Sequence, residues 1–337
     1  LNEKREIAFK DLKKKGVIEV EQFHERNNNA WDEFVSASNN GTIFHTRQFI
    51  NYHPKNRFRD ASLIFKKEQK YLALLPAAIE QEGESQILIS HPGVSMAGPV
   101  FNDSISIKDL FGVVEALAEW TNANAISKII LTLPPQIYYS RPSNYLDFAL
   151  LESGFTYLKR EISSVIPLDF AEEDTLLIFS PESRRAARKA EKSGVKVYES
   201  EDFSAFYAIL QKNLGMRHNV QPTHTLDELV GLKKLFPDRI KLFGAFHNDQ
   251  MIAGILIFVC NSKVALAFYI SHLEEMQQVR AVNALFCEVV RWSIRNHFKF
   301  LDFGIFTVNM KPNWGLARFK ESFGAQGVFR DTLVKKT

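Results

Sequence analysis

Cysteine is scarce in this chain. Only Cys260 and Cys287 occur in 337 residues, and both sit in apolar contexts, LIFVCNS and NALFCEVV. A disulfide framework is excluded, and the expectation is two buried, reduced thiols in a cytoplasmic protein. Long hydrophobic runs are lacking too. The longest, MIAGILIFVC (251–260), falls well short of the roughly 20 residues that a membrane-spanning helix needs. The stretch that opens at Leu1 is charged, not an apolar leader, so export is not expected.

Charge of one sign is also missing. Lys and Arg number 42 against 39 Asp and Glu, a net of +3 whose small basic excess falls in the second half. That is too little to argue for a nucleic-acid surface, and DNA is not expected as a partner. The nine histidines are scattered, no H-E-x-x-H is present and neither cysteine has a neighbour at ligand spacing, so no metal is expected. Walker A and G-x-G-x-x-G loops are absent. HPGVSMAGP (91–99) comes near the nucleophile elbow G-x-S-x-G, but Ala97 stands where the second glycine is needed. Its flanking prolines make it a tight turn lining a cleft.

What is present is a large apolar fraction, 45%, with 28 phenylalanines, in a chain about twice the usual domain size. Two domains are expected, 1–165 and 166–337. GVIEVE reads as a strand and AWDEFVSASN as a helix; IFHTRQFINYH is a helix or half-helix ended by Pro54. ASLIFKK and KYLALLPAAI form a hairpin around a charged turn, and ILIS a further strand. SIKDLFGVVEALAEWTNANA is an amphipathic helix, followed by the strand SKIILTLPP. The second half repeats this order. A hairpin around HNDQ, the strand VALAFYISH, the helix RAVNALFCEVVRWSIRNH and the strand FKFLDFGIF follow in turn. FKKEQKYLALL (65–75) matches FHNDQMIAGIL (246–256), and Trp120 matches Trp292 at a similar offset, which suggests a duplicated unit. Between the copies, YLKREISSVIPLDF reads as a strand that closes the first or opens the second. Each unit is then mixed α/β with a largely antiparallel sheet.

Several stretches carry chemistry. The helix SPESRRAARKAEKSG has Ser180 as its N-cap and Pro181 in its first turn. Arg184, Arg188 and Lys192 form one row and Arg185 and Lys189 the next, a broad basic face suited to anions, with alanines on the other side. A run of three lysines, Lys13, Lys14 and Lys15, lies near the start. MRHNVQPTHT (216–225) is a polar loop in which Arg217, His218 and His224 are placed to face a substrate. In LDFGIFTVNMKPNWGLARFKESFGA (301–325) a buried strand carries Asp302, a carboxylate that needs partners. In the helix that follows, Phe319 and Phe323 share a face and Lys320 is turned about 100° away, out of the packed layer. Gly324 ends that helix.

Taken together, RRAARKAEKSGVKV, YISH, ALFCEVVRWSIRNHFKFLDFG and RFKESFGA resemble the FemAB-like and BioF2-like branch of the GNAT acyltransferase superfamily, the relatives of the FemABX peptidyltransferases. The resemblance implies two tandem GNAT-type domains and transfer of an acyl or aminoacyl group to an amine of a cell-envelope or polysaccharide precursor. It implies a small-molecule, lipid, sugar or peptide substrate. The donor is an acyl-CoA or other thioester, or an aminoacyl-tRNA, which the modest charge supports less. Peripheral contact with a membrane is compatible with it. In such enzymes the Phe-Lys pair, here Phe319 and Lys320, lies at the donor or acceptor site. Asp302, Tyr269 and His218 join Lys320 as catalytic candidates. Arg280, Gln278, Asn283, Arg217, Arg184, Arg188 and Lys189 are candidates for binding. One departure stands out. The loop that would hold the CoA pyrophosphate, QQVRAVNAL (277–285), has Gln277, Gln278 and Arg280 but no glycine, so side chains would obstruct close approach. The other class of reading is a non-catalytic GNAT fold that binds an anionic precursor or a protein.

Overall fold

The computed structural model describes residues 17–337 apart from Lys55, Asn219 and Val220, and leaves out the side chains of residues 216–218. The lysine run at 13–15 and the side chains of Arg217 and His218 therefore lie outside the described residues. The chain forms two compact units, Leu1–Arg160 with Asp331–Thr337, and Glu161–Arg330. The sequence places the division at 165/166. In the structure the units divide at 160/161, and the end of the chain belongs with the first.

The first unit opens with strand β1 (Glu19–Gln22), helix α1 (Asn28–Ala37) and the short α2 (Arg47–Ile50). Strands β2 (Arg59–Asp60), β3 (Leu63–Lys67), β4 (Lys70–Leu75), β5 (Ala77–Glu82), β6 (Ser85–Ser90) and β7 (Val100–Phe101) follow. Helix α3 (Ile107–Ala123), β8 (Ile126–Thr132) and α4 (Tyr145–Glu152) complete it. One sheet runs β1-β3-β4-β7 and another β2-β5-β6-β8. The chain's last residues pair antiparallel with β8, from Thr332 opposite Thr132 to Lys336 opposite Lys128. Strands β6 and β8 are parallel, joined through α3. That helix starts where the Ser106 hydroxyl accepts the Asp109 N–H, and its spacing buries Leu110, Val113, Val114 and Leu117 against Leu88, Ile129 and Leu131. HPGVSMAGP is the expected turn: its His91, Pro92, Val94, Ser95, Met96 and Ala97 line a cavity of about 330 Å³ with Ile87, Ile130 and Thr132.

Strand β9 (Thr156–Pro167) begins in the first unit and ends in the second. The second unit continues with α5 (Thr175–Ile178), α6 (Pro181–Lys192), β10 (Lys196–Glu199), α7 (Phe203–His218) and α8 (Leu226–Leu235). Then come β11 (Ile240–His247), β12 (Gln250–Val259), β13 (Val264–His272), α9 (Ala281–Arg295) and β14 (Phe300–Ile305). The small strands β15 (Thr307–Val308) and β16 (Lys311–Pro312), α10 (Trp314–Glu321) and β17 (Gln326–Lys336) end the chain. The sheet runs β10-β11-β12-β13-β14-β9. Strand β12 is apolar almost throughout because α7 covers one side and α9 the other. Phe286, Val289 and Val290 of α9 pack with Ile255, Ile257 and Ala265 in this core, and Cys260 and Cys287 are buried thiols.

The two units repeat each other in detail. Each hairpin turns on two residues in the left-handed region, Glu68 and Gln69 (φ 50° and 65°), and Asn248 and Asp249 (φ 50° and 60°). Each also shifts register at the same point, between Phe65 and Lys66 in β3 and between Ala245 and Phe246 in β11. Phe65 thus corresponds to Ala245, not Phe246, one residue away from the match made on sequence. Further along, Pro76 separates β4 from β5, while β12 runs on but shifts register against β13 between Leu256 and Ile257. In both units the strand after the hairpin is parallel to the strand after the long helix.

Candidate active site

Strands β13 and β14 pair only from Val264 with Phe300 to Leu266 with Asp302. On its other side β14 meets β9, and that register shifts between Asp302 and Ile305. Gly304 stands inside the shift at φ +71°. An added Cβ there would meet nothing within 4 Å, so glycine serves the backbone angle and not the space around it. A shift of this kind takes carbonyls out of the ladder. Helix α10 supplies their partner: Lys320 Nζ donates to the carbonyls of Phe303 (2.9 Å), Gly304 (2.8 Å) and Ile305 (2.8 Å). Lys320 is only 3% exposed. The ammonium has three donors and all three are used. Burial pushes its pKa down to about 8, against the pull of the Asp302 carboxylate.

The outward direction expected of Lys320 is corrected here. Ala317 and Lys320 face inward, and Phe319 is half-buried against Phe286 and Phe323, with ring centroids 5.8 Å and 5.1 Å away. Phe323, past the helix end, is fully buried between Phe179 (5.0 Å) and Phe286 (4.4 Å). Carbonyls that would otherwise lack donors explain the rotation: a lysine reaches them where a phenylalanine cannot. Asp302 is buried as expected and has its partners. Its Oδ1 accepts from Ser163 Oγ at 2.5 Å and from the Gly304 N–H at 2.7 Å.

The small hairpin of β15 and β16 is tied at its base. The Ile162 N–H donates to Thr307 Oγ1, the Phe306 N–H to the Ile162 carbonyl, and the Asn313 N–H to the Phe306 carbonyl. Asn313 then caps α10 by accepting the Leu316 N–H at 3.0 Å.

Tyr269 lies on β13, three residues beyond the last parallel pair. Its hydroxyl shares a 3.0 Å hydrogen bond with His224 Nδ1, and burial raises its pKa, which keeps the phenol protonated. Tyr207 donates to the His224 carbonyl, and Asn213 Nδ2 donates to Ser271 Oγ and the His272 carbonyl, both at 2.8 Å. The helix before this loop, α7, runs to His218 and so takes in part of the segment expected as loop. Arg280 caps the start of α9 in the left-handed region (φ 62°, ψ 31°), and its carbonyl accepts the Asn283 N–H. Gln278 and Arg280 are exposed and Asn283 is half-buried. On α6, Ser183, Ala187 and Ala190 are buried, and the helix packs on α9. Arg188 and Lys189 are exposed as expected. Arg184 is not part of that open face: it turns back to donate to the carbonyls of Leu177 (3.1 Å) and Phe179 (3.2 Å).

The structure thus brings Lys320, Asp302 and Gly304 together. Tyr269 stands on the neighbouring strand, Arg280 and Asn283 at the start of α9, and Arg188 and Lys189 on α6. Sequence reasoning missed Ser163 and the pairing of His224 with Tyr269. Ser163 is 139 residues from Asp302, and nothing local marks it. Among the described residues no cluster of His, Cys, Asp or Glu is arranged for a metal, and no helix is long and apolar enough to cross a membrane.

Residues 181–321, which hold the split strands and Lys320, match the family model of the acetyltransferase (GNAT) domain. The fold is a GNAT fold. Its solved neighbours include FemX, with a TM-score of 0.73, 13% identity and coverage of 94% of this chain and 97% of that one. L-PGS from Bacillus licheniformis gives 0.59 at 11% identity, covering 93% and 92%. A tandem GNAT protein from the clavulanic acid biosynthesis pathway gives 0.55 at 11% identity, covering 95% and 98%. No curated protein sequence matches the chain. The resemblance to the FemAB-like branch holds at the level of the fold, two GNAT-type units in tandem.

Proposed function

We propose that the chain is an N-acyltransferase that moves an acyl or aminoacyl group from an activated donor to an amine of a cell-envelope or polysaccharide precursor. One observation carries the reading. Inside the GNAT-matched segment, β13 and β14 part after three paired residues, and a buried ammonium binds the β14 carbonyls just past the last pair. The likeness to FemX supports the envelope precursor, and acyl-CoA or another thioester is the proposed donor, with aminoacyl-tRNA as the alternative. In the reaction the amine nitrogen attacks the donor carbonyl. A C–N bond forms and the C–S bond of a thioester, or the C–O bond of an ester, breaks. The amine loses a proton, and the leaving thiolate or oxygen gains one. Positioning and stabilisation of the carbonyl oxygen do most of this work. Lys320 is the proposed cation for that oxygen or for a donor phosphate, moving one N–H from a β14 carbonyl to the ligand. Tyr269, kept protonated, is the proposed proton donor to the leaving group, and Asp302 orients the strand. Arg280 and Asn283 are proposed to meet the donor at the start of α9.

A second reading has its own observation: every donor of Lys320 is already engaged by backbone carbonyls, as in a GNAT fold that binds without turnover. Thermal shift with CoA thioesters and nucleotide-sugars, followed by mass spectrometry of amine acceptors, separates the two. The transferase reading expects stabilisation by a thioester and an N-acyl product, with Tyr269→Phe lowering kcat at least about tenfold. Stabilisation by nucleotide-sugars alone, with no acylated product from any donor, sinks it.

A further inference from the structure

Apolar side chains crowd one exposed segment of the second unit. Val308 is 67% exposed, Met310 57%, Trp314 69% and Leu316 37%. They occupy the tip of the β15–β16 hairpin and the first turn of α10. Asn309 and Met310, both left-handed (φ 49° and 61°), form the turn, and β15 pairs Val308 with Lys311 across it. The segment is not loose. Its base is bonded through Ile162, Thr307, Phe306 and Asn313, and the Met310 N–H lies 3.3 Å from the buried Glu161 carboxylate. A fixed loop that holds tryptophan and methionine in water needs a cover.

The charges say what kind. Between Phe306 and Lys320 there is no aspartate or glutamate, and the exposed ionisable groups are Lys311 and Arg318. Another apolar strip, on α4, is different: Phe148 and Leu151 are exposed there beside Asp147 and Glu152. A protruding tip with an aromatic anchor and only basic charge fits the interface of an anionic bilayer, where indole sits at headgroup level and cations meet lipid phosphates. We infer that the segment 307–318 docks the protein on an anionic lipid surface. The docking does not depend on the acyl-transfer reading.

The test is co-sedimentation of the full chain with vesicles of phosphatidylcholine alone and with 30 mol% phosphatidylglycerol, about the anionic share of a mixed bilayer. Tryptophan emission is followed in parallel. Trp31 is fully buried and Trp120 and Trp292 pack on the cores, so a blue shift reports chiefly on Trp314. The expected result is binding to the anionic vesicles, a blue shift, and at least about tenfold weaker partition for V308S/M310S/W314S. Lys311→Glu with Arg318→Glu, which alters only exposed side chains, is expected to weaken binding to anionic vesicles and leave the melting temperature unchanged. Parent protein that stays in the supernatant overturns the proposal. So does a triple variant and a charge-reversed variant that both bind as the parent does, since binding would then lie elsewhere, for example on the basic face of α6.

Discussion

A lysine buried against three successive carbonyls is held by one strand and holds it in return. Lys320→Met keeps the stem and removes the ammonium, leaving up to three buried carbonyls without donors at about 1–3 kcal/mol each. A loss of at least about 3 kcal/mol is expected in urea unfolding. The pKa adds a pH signature. The folded pKa, about 8, lies below the ordinary lysine value of 10.5, so the unfolded chain holds this proton more tightly between those limits. Stability of the parent therefore rises as pH goes from about 8 towards 10.5. Its advantage over Lys320→Met should be roughly 2 kcal/mol larger at pH 9.5 than at pH 7. A gap that stays constant across that range would show that the carbonyls hold the proton as firmly as water does.

Elements in this protein end and bend where the backbone needs a left-handed residue. Two glycines on either side of α10 separate angle from space. Gly304 (φ +71°) has open room around it, while Gly324 (φ +84°) would bring a Cβ to 3.0 Å from the Ile178 carbonyl. Gly304→Ala should cost about 1–2 kcal/mol for the angle alone. Gly324→Ala should cost more, because the steric term is added, and chemical denaturation of both variants measures the difference. Equal losses would mean that Ile178 yields freely. The start of α9 shows the same need met without glycine: Arg280 takes the left-handed angle in the loop where a CoA-binding GNAT protein is expected to have glycines. The angle survives the substitution, but an exposed arginine side chain comes with it.

At the scale of the molecule, the first unit carries a buried acid sensitivity. His45 is wholly buried with its pKa pushed down to about 3, and His91, beside the 330 Å³ cavity, is held down to about 4 by burial. Both folded values lie below the ordinary 6.5, so the unfolded chain binds protons that the folded one refuses. The stability this represents is present above about pH 6.5 and is lost as pH falls towards 4. Each histidine contributes on the order of 3 kcal/mol over that range. Hydrogen exchange resolved by segment should show residues 17–160 losing protection first in mild acid, and His91→Gln should reduce the slope. Loss of protection in the second unit first would contradict this.

Much of the fold was legible because it is local. The two hairpins, the Ser180 cap and the face of α3 are written in residues a few positions apart, and the repeated order of hairpin, strand, helix and strand follows from them. The sequence alone also determined that Asp302 is buried and that Phe323 anchors the helix end. It misaimed Lys320 and Arg184, because helical spacing tells which residues share a face but not which buried carbonyls lie opposite. Only the tertiary structure decided that the register shift at Gly304 frees three carbonyls for Lys320, that Ser163 meets Asp302, and that Tyr269 meets His224. Those contacts join residues far apart in the chain, and an unpaired buried carbonyl or carboxylate takes its partner from whatever the fold brings within reach.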